Sequence, residues 1–468
     1  VKGIVAAGHP VTAEAAAEIL SEGGNAFDAV IAGLLAGLTP ETVLASLGGG
    51  GYLMAHVSAA DRTTLYDFFV DTPRRKRPFG DTDFKAVHVD FGPATQEFHV
   101  GVGATATPGF VPGIFAVHAD LCSLPMNRIV EPAVRTARDG VTMTDFQAYL
   151  FSIITPILTR EAASTALHAP EGHVLTAGER FRNPALADTL ERLARDGADL
   201  FIHGDIGQTI LQQSADSGGH LSREDLERYR VAKRHPLRWT HQGHDVFLNP
   251  APAAGGLLIA FGLGLLEQLD ATHQSAPTGA PSLVDLARVM TETNEARRLK
   301  GEALANLADH DVIAAHFEEL VGRAEANRGT THVSVIDSHG NAAAATVSNG
   351  EGNGHMVGGY GFMLNNMLGE EDLNPDGFGA WLPGQRLSSM MSPTLIQAPD
   401  RTLTALGSGG SNRIRTAILQ VVWNLIDRGM TLEEAVNAPR THVEKCGTVS
   451  YEDQIGLDAM ADLLAAFP

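Results

Sequence analysis

Apolar and polar positions follow two rhythms along this chain. In residues 11–38, "VTAEAAAEILSEGGNAFDAVIAGLLAGL", apolar residues recur at the three- and four-residue spacing of helices. Two helices are predicted there. Thr12 suits the N-cap of the first, and Gly23-Gly24 stops it. Asn25 caps the second and sets Asp28 near its positive end. Residues 46–57, "SLGGGGYLMAHV", read as a glycine turn feeding a strand. In 183–197, Asn183 is an N-cap, Pro184 opens a helix, Leu186, Leu190 and Leu193 form its apolar stripe, and Gly197 ends it. Further helices are predicted over about 284–308 and 311–326.

After residue 330 the rhythm shortens. "THVSVIDSHGNAAAATVS" (331–348) predicts a hairpin, and 392–408 a second one turning at Pro399, Asp400 and Arg401. An apolar-faced helix follows over 412–429. Thr431 and Glu434 then form a capping box for another helix, which Pro439 terminates. Strand pairs followed by helices suit an α+β fold, with sheets stacked and helices outside. No repeat or low-complexity linker is visible, and the composition break near 326–330 is the candidate boundary.

Composition narrows the function. The chain has 468 residues and a balance of 34 − 55 = −21, which repels phosphate backbones and anionic lipid, so nucleic acid is not an expected partner. The basic run "RRKRP" (74–78) reads as a solvated loop. No apolar run reaches the ~18 residues of a membrane span. Two cysteines, Cys122 and Cys446, make neither a disulfide framework nor a zinc site. The histidines sit in separate motifs without metal-ligand spacing, so neither metal nor organic cofactor is expected. Residue 1 is Val and no leader is visible, which favours the cytoplasm; a removed leader would make the protein periplasmic or secreted.

Candidate chemistry begins at the strand entrance "RGTTHV" (328–333). A threonine hydroxyl needs a base. A threonine at a chain's N-terminus supplies its own, through its α-amine. Cleavage after Gly329 would create that arrangement at Thr330, and a glycine offers little bulk to an attack on its carbonyl. By itself a threonine pair at a strand entrance is ordinary structure. The glycine-dense turns "SLGGGG" (46–51) and "GSGGSN" (407–412) suit backbone donors for an oxyanion. "LSSMMSPT" (387–394) adds paired hydroxyls, and "LNNMLGEEDLNP" (364–375) adds amides and carboxylates.

Together these stretches resemble the γ-glutamyltranspeptidases, members of the N-terminal-nucleophile hydrolases. "GHPVTAEAAAEILSEGGNAFDAVIAG", "SLGGGGYLM", "TPGFVPGI", "HLSREDLERYR", "NPAPAAGG", "TTHVSVIDSHGN", "MLNNM", "RLSSMMSPT" and "GSGGSNRI" follow the family's order over about residues 3–440. The resemblance implies a four-layer αββα sandwich with two largely antiparallel sheets. It implies self-cleavage between Gly329 and Thr330, giving segments 1–329 and 330–468 that stay associated as one intertwined fold. Thr330 would attack an amide carbonyl to form an acyl-enzyme, which water or an amino acid would resolve. Ser348 stands where the family has a threonine bonded to the nucleophile. Gly409 and Gly410 match the oxyanion-hole glycines. Ser388 and Ser389 match residues on the substrate α-carboxylate. Glu370 and Asn349 stand at or near residues for the α-amino group. His332 has the place of a structural histidine. The implied partner is a small-molecule γ-glutamyl or acyl amide.

The family's α-carboxylate arginine is replaced. In "YDFFVDTP" Phe69 stands in its place, and no phenylalanine reproduces an arginine fork. Arg74 or Arg75, from the next turn, is the candidate substitute, with Arg74 put first. The family's glutamine after the paired asparagines is Met367, and 369–386 is short for a lid, suggesting an open pocket. Two alternatives follow: a relative acting on a non-γ-glutamyl acyl amide, in the manner of a cephalosporin acylase, or an uncleaved homologue that only binds. A nucleotide loop at the glycines lacks the required Lys-Ser/Thr.

Overall fold

The computed structural model describes residues 2–90, 95–273, 282–297, 302–309, 313, 329–444 and 447–467. The chain divides into two compact units, Val1–Arg234 with Gly329–Leu387, and His235–Arg328 with Ser388–Pro468. Each unit takes residues from both sides of the Gly329–Thr330 bond. The composition break near 326–330 falls at one of the three places where the chain passes between units.

The first unit is built on a six-stranded antiparallel sheet. Its order is Gly3–Ala7, Thr331–Asp337, Ala342–Ser348, Gly50–Val57, Arg62–Phe68, Ala232–Arg234. The predicted 331–348 hairpin is present, and it is inserted between strands from the beginning of the chain. All seven residues of Ala342–Ser348 are buried, four of them alanines. Small side chains let the helix Ala26–Gly37, buried along its whole length, pack on this hairpin. Asn25 and Asp28 cap that helix reciprocally, as expected.

The first helix, Pro10–Ser21, starts three residues earlier than predicted. His9 caps it by accepting the Val11 N–H, and Pro10 takes the first position, where a missing N–H costs nothing. Thr12 is therefore inside the helix, and its hydroxyl serves another partner. The helix Pro184–Asp196 has the predicted cap, stripe and stop.

The second unit holds a four-stranded antiparallel sheet in the order Leu403–Leu406, Thr394–Gln397, His244–Leu248, Leu237–His241. The helix Gly255–His273 packs on this sheet and on the helices Leu283–Ala296 and Arg413–Ile426. The helix predicted over 284–308 ends at Ala296, and a separate turn occupies Glu302–Ala305. The helix predicted over 311–326 lies, Ile313 apart, outside the described residues. Thr431 and Glu434 form their capping box. No described helix is long and apolar enough to cross a membrane.

Candidate active site

Strand register builds the Thr330 end of the first unit. Thr331 faces Val347, so Thr330, one residue earlier, comes level with Ser348, which in turn faces Gly50. The Gly329 carbonyl oxygen receives two hydroxyls, Thr330 Oγ1 at 2.7 Å and Ser348 Oγ at 3.1 Å. Ser348 Oγ also accepts the Gly350 N–H at 3.0 Å. An N–H can only donate, so the serine proton is left for the Gly329 oxygen. The Ser348 donor polarises the carbonyl toward addition at carbon.

The turn after Ser348 is held tightly. Asn349 N–H donates to the Leu44 carbonyl at 3.3 Å, and Glu351 N–H to Asn366 Oδ1 at 3.0 Å. Gly350 has φ +63°, and a Cβ there would lie 2.2 Å from Asn366 Oδ1 and 2.3 Å from Glu370 Oε1. Glu370 is thus pressed against the residue two beyond Ser348. Asn349 is buried, and among the described residues its Oδ1 has no hydrogen-bond partner. Gly329, Thr330, Ser348, Asn349 and Glu370 therefore share one neighbourhood.

The glycines at 48–51 answer to close packing. A Cβ on Gly49 would come 2.3 Å from the Ser348 carbonyl oxygen, and one on Gly51 2.4 Å from that of Thr346. They let the strand Gly50–Val57 run against the strand that ends in Ser348. His332 is half-buried, with Nδ1 2.8 Å from Thr346 Oγ1 and Nε2 2.8 Å from Ser334 Oγ. Burial drives its pKa down to about 3, so the imidazole is neutral and ties two strands together.

A second cluster lies one strand further across the sheet. Phe69 follows the strand Arg62–Phe68, and a Cβ on Gly50 would sit 3.1 Å from the Phe69 Cα. Phe69 is 1% exposed and stacks on Tyr52 with ring centroids 5.6 Å apart. It is a core residue that presents no charge. Arg386 supplies the strongest cation here. Its Nε donates to Asp71 at 2.6 Å, and its guanidinium also pairs with Asp67. Burial disfavours its charge, but Tyr229, Asp67 and Asp71 outweigh that and keep it protonated. Asp71 feels burial first, which raises its pKa, against the lowering pull of Arg386 and, more weakly, Arg74. The Arg74 guanidinium lies beside Gly384, its Nη1 3.2 Å from a Cβ built there.

The basic run 74–78 is more anchored than a solvated loop. The Arg74 N–H donates to Asp225 at 2.6 Å, Arg77 bonds the carbonyls of Gly219 and Ala215, and Lys76 lies 4.5 Å from the Trp381 ring centre. Trp381 belongs to 369–386, and that segment is strapped down further by a bond from Thr72 N–H to the Gln385 carbonyl at 2.7 Å.

Ser388, Ser389, Gly409 and Gly410 lie in the second unit. Ser389 is buried. Its Oγ accepts the Met391 N–H at 3.1 Å, and its carbonyl accepts those of Ala254 and Gly255. Gly410 has φ +108°, and its carbonyl accepts the Arg413 N–H as the helix Arg413–Ile426 begins. Among the described residues no group of three His, Cys, Asp or Glu side chains could hold a metal. Sequence reasoning missed Glu41, Asp71 and Arg386. The signal for Glu41 was there, as it is the lone charge in the apolar run 38–49.

A family model described as Gamma-glutamyltranspeptidase matches residues 12–466. The chain belongs to the γ-glutamyltranspeptidase family. A glutathione hydrolase proenzyme of Escherichia coli (strain K12) is 30% identical over 94% of this chain and 81% of its own length. An Acylase ACY 1 proenzyme of Pseudomonas sp. (strain SE83) is 29% identical over 99% and 86%. A cephalosporin acylase from Bacillus halodurans shares the fold, with TM-score 0.84 at 22% identity over 99% of this chain and 88% of that one. The γ-glutamyltranspeptidase family member described here is an enzyme, an autoprocessed N-terminal-nucleophile amidohydrolase and acyltransferase with an α+β sandwich fold.

Proposed function

We propose that Thr330 is the nucleophile and that the chain matures by cleavage of the Gly329–Thr330 bond into segments 1–329 and 330–468. The observation that carries this is the convergence of the Thr330 and Ser348 hydroxyls on the Gly329 carbonyl oxygen. Addition of Thr330 Oγ1 to the Gly329 carbon, with cleavage of its bond to the Thr330 nitrogen and transfer of the hydroxyl proton to that nitrogen, gives an ester and frees the α-amine. Water hydrolyses the ester, and the amine becomes the base for later turnovers. In each turnover Thr330 Oγ1 attacks a donor amide, the amine takes the hydroxyl proton and passes it to the leaving nitrogen, and an acyl ester remains. Water or an amino acid then attacks that ester. Gly409 and Gly410 N–H groups are the proposed oxyanion donors. Ser388, Ser389, Asn349 and Glu370 are the proposed substrate ligands, with Arg74 as the cation for an α-carboxylate.

The donor under this reading is a γ-glutamyl amide, as with the glutathione hydrolase relatives. One observation favours a second donor class. Phe69 is a core residue and Arg386 is already paired with two carboxylates, so neither offers an α-carboxylate a free cation, and the grip would fall to Arg74. A glutaryl or simple acyl amide, lacking that group, would lose nothing there. Two measurements test the proposal. Wild type should run as two bands on a denaturing gel and Thr330→Ala as one; a single full-length band from active wild type sinks the mechanism. A γ-glutamyl anilide should then be turned over faster than glutaryl and simple acyl anilides. The reverse order transfers the assignment to the acylase class.

A further inference from the structure

Glu41 is 7% exposed and sits between the helix Ala26–Gly37 and the strand Gly50–Val57. Its Oε1 accepts the Thr331 hydroxyl at 2.6 Å, and its Oε2 accepts the Thr12 hydroxyl at 2.9 Å. The carboxyl group is boxed in. A Cβ on Gly8 would lie 2.9 Å from Oε1, and one on Gly37 3.0 Å from Oε2. Its backbone is equally fixed: the N–H donates to the Gly37 carbonyl at 2.8 Å, and the carbonyl accepts from Leu44 at 2.8 Å and Ala45 at 3.0 Å. The same segment meets the Thr330 end again, where the Leu44 carbonyl accepts the Asn349 N–H and a Cβ on Gly329 would lie 2.7 Å from Leu44 Cδ2. Burying a carboxyl group among neutral donors is costly, and burial raises its pKa.

We infer that Glu41 is a positioning residue that acts through the Thr331 hydroxyl to hold Thr330 in place after Gly329 has been cut away. The inference rests on the reading of Thr330 as nucleophile. In the uncut chain, covalent bonds hold residue 330 from both sides. Once cut, Thr330 is a free end. The fixed points behind it are then the ladder pairing of Thr331 with Val347 and the bond from Thr331 to Glu41. A hydroxyl–carboxylate bond is short and directional, and it fixes the side chain of the residue adjoining the nucleophile. A displacement of about 1 Å at a nucleophile costs on the order of 10²-fold in rate.

The test compares Thr331→Val, Thr331→Ser and Glu41→Gln in the full chain, with kcat and KM measured on the anilide that wild type turns over best. Valine keeps the shape and removes the donor; serine keeps the donor. The valine variant should lose about 10- to 100-fold in kcat with KM within about two-fold of wild type, serine should recover most of the loss, and glutamine, whose amide oxygen still accepts, should lose less than valine. Self-cleavage takes place while covalent bonds still hold residue 330 on both sides, so it should run near the wild-type rate in all three variants; cleavage slowed as much as kcat overturns the inference. Valine matching wild type overturns the inference, as does serine failing like valine. Glu41→Leu, which removes the acceptor, supplies the same reading if Thr331→Val does not fold. Active wild type that stays uncut removes the nucleophile reading itself; cut wild type with unaffected variants removes only the role of Glu41.

Discussion

The Thr330 end, proposed to carry the nucleophile, and the Phe69 end, proposed to meet an anion, adjoin across Gly50 in the first unit, yet they are built differently. Around Thr330 and Ser348 the parts are backbone: strand register, close-packed glycines and hydroxyls on a carbonyl. Around Phe69 the parts are charges and rings: Arg386 shared by Asp67 and Asp71, and a phenylalanine stacked on Tyr52. Sheet geometry tolerates little change, because a Cβ in the wrong place meets main chain. A charge cluster can be rebalanced by exchanging side chains.

Removing the Ser348 hydroxyl should break the Thr330 end most directly. Ser348→Ala is expected to slow self-cleavage by roughly 10²-fold, the usual cost of one donor to a reacting carbonyl, read as the half-life of the full-length band. Unchanged cleavage would mean that the Gly329 oxygen needs no second donor.

Placing an arginine at 69 looks like a restoration of the family residue, but Phe69 is sealed in the core. Phe69→Arg should cost on the order of 3 kcal/mol or more and lower the melting temperature before any gain in γ-glutamyl turnover appears. A stable variant with faster γ-glutamyl turnover would show that the ring can leave its pocket. Gly49→Ala probes the neighbouring backbone. Its Cβ would lie 2.3 Å from the Ser348 oxygen, so a loss of roughly 1–3 kcal/mol in stability is expected, with slower maturation.

Arg74→Ala sharpens the contrast at the Phe69 end. If Arg74 grips the α-carboxylate, KM for a γ-glutamyl anilide should rise by roughly 10-fold while that for a glutaryl anilide stays put. Equal changes for both would assign Arg74 to structure.

The smallest effect concerns the segment after Ser348. His355 lies 3.0 Å from both Asp83 and Glu161, which raise its pKa to about 9. The folded value is above the ordinary 6.5, so the stabilisation is complete below about pH 6.5 and fades as pH rises through 9. Discounted for partial solvent screening, it is about 1 kcal/mol. Melting temperature should fall across that window, and His355→Gln should flatten the fall.

Local grammar was legible in the sequence wherever neighbours in the chain are neighbours in space. The Asn25–Asp28 box, the Asn183–Gly197 helix and both hairpins are local, so propensity and turn chemistry decided them. The first helix start was misplaced because Thr12, a good cap by type, is taken by Glu41, 29 residues away. Thr330, Gly329 and Ser348 were singled out through their motif, and their convergence on one carbonyl is a matter of register. Glu41, Asp71 and Arg386 carry no motif, and their partners are up to 319 residues distant. The order of motifs by itself determined the family and the fold. Tertiary structure decided that the 331–348 hairpin lies between strands from the chain's beginning, that Phe69 is core, and that Arg386 has its charge already matched. Those facts depend on burial and charge pairing between remote segments, and no local pattern encodes either.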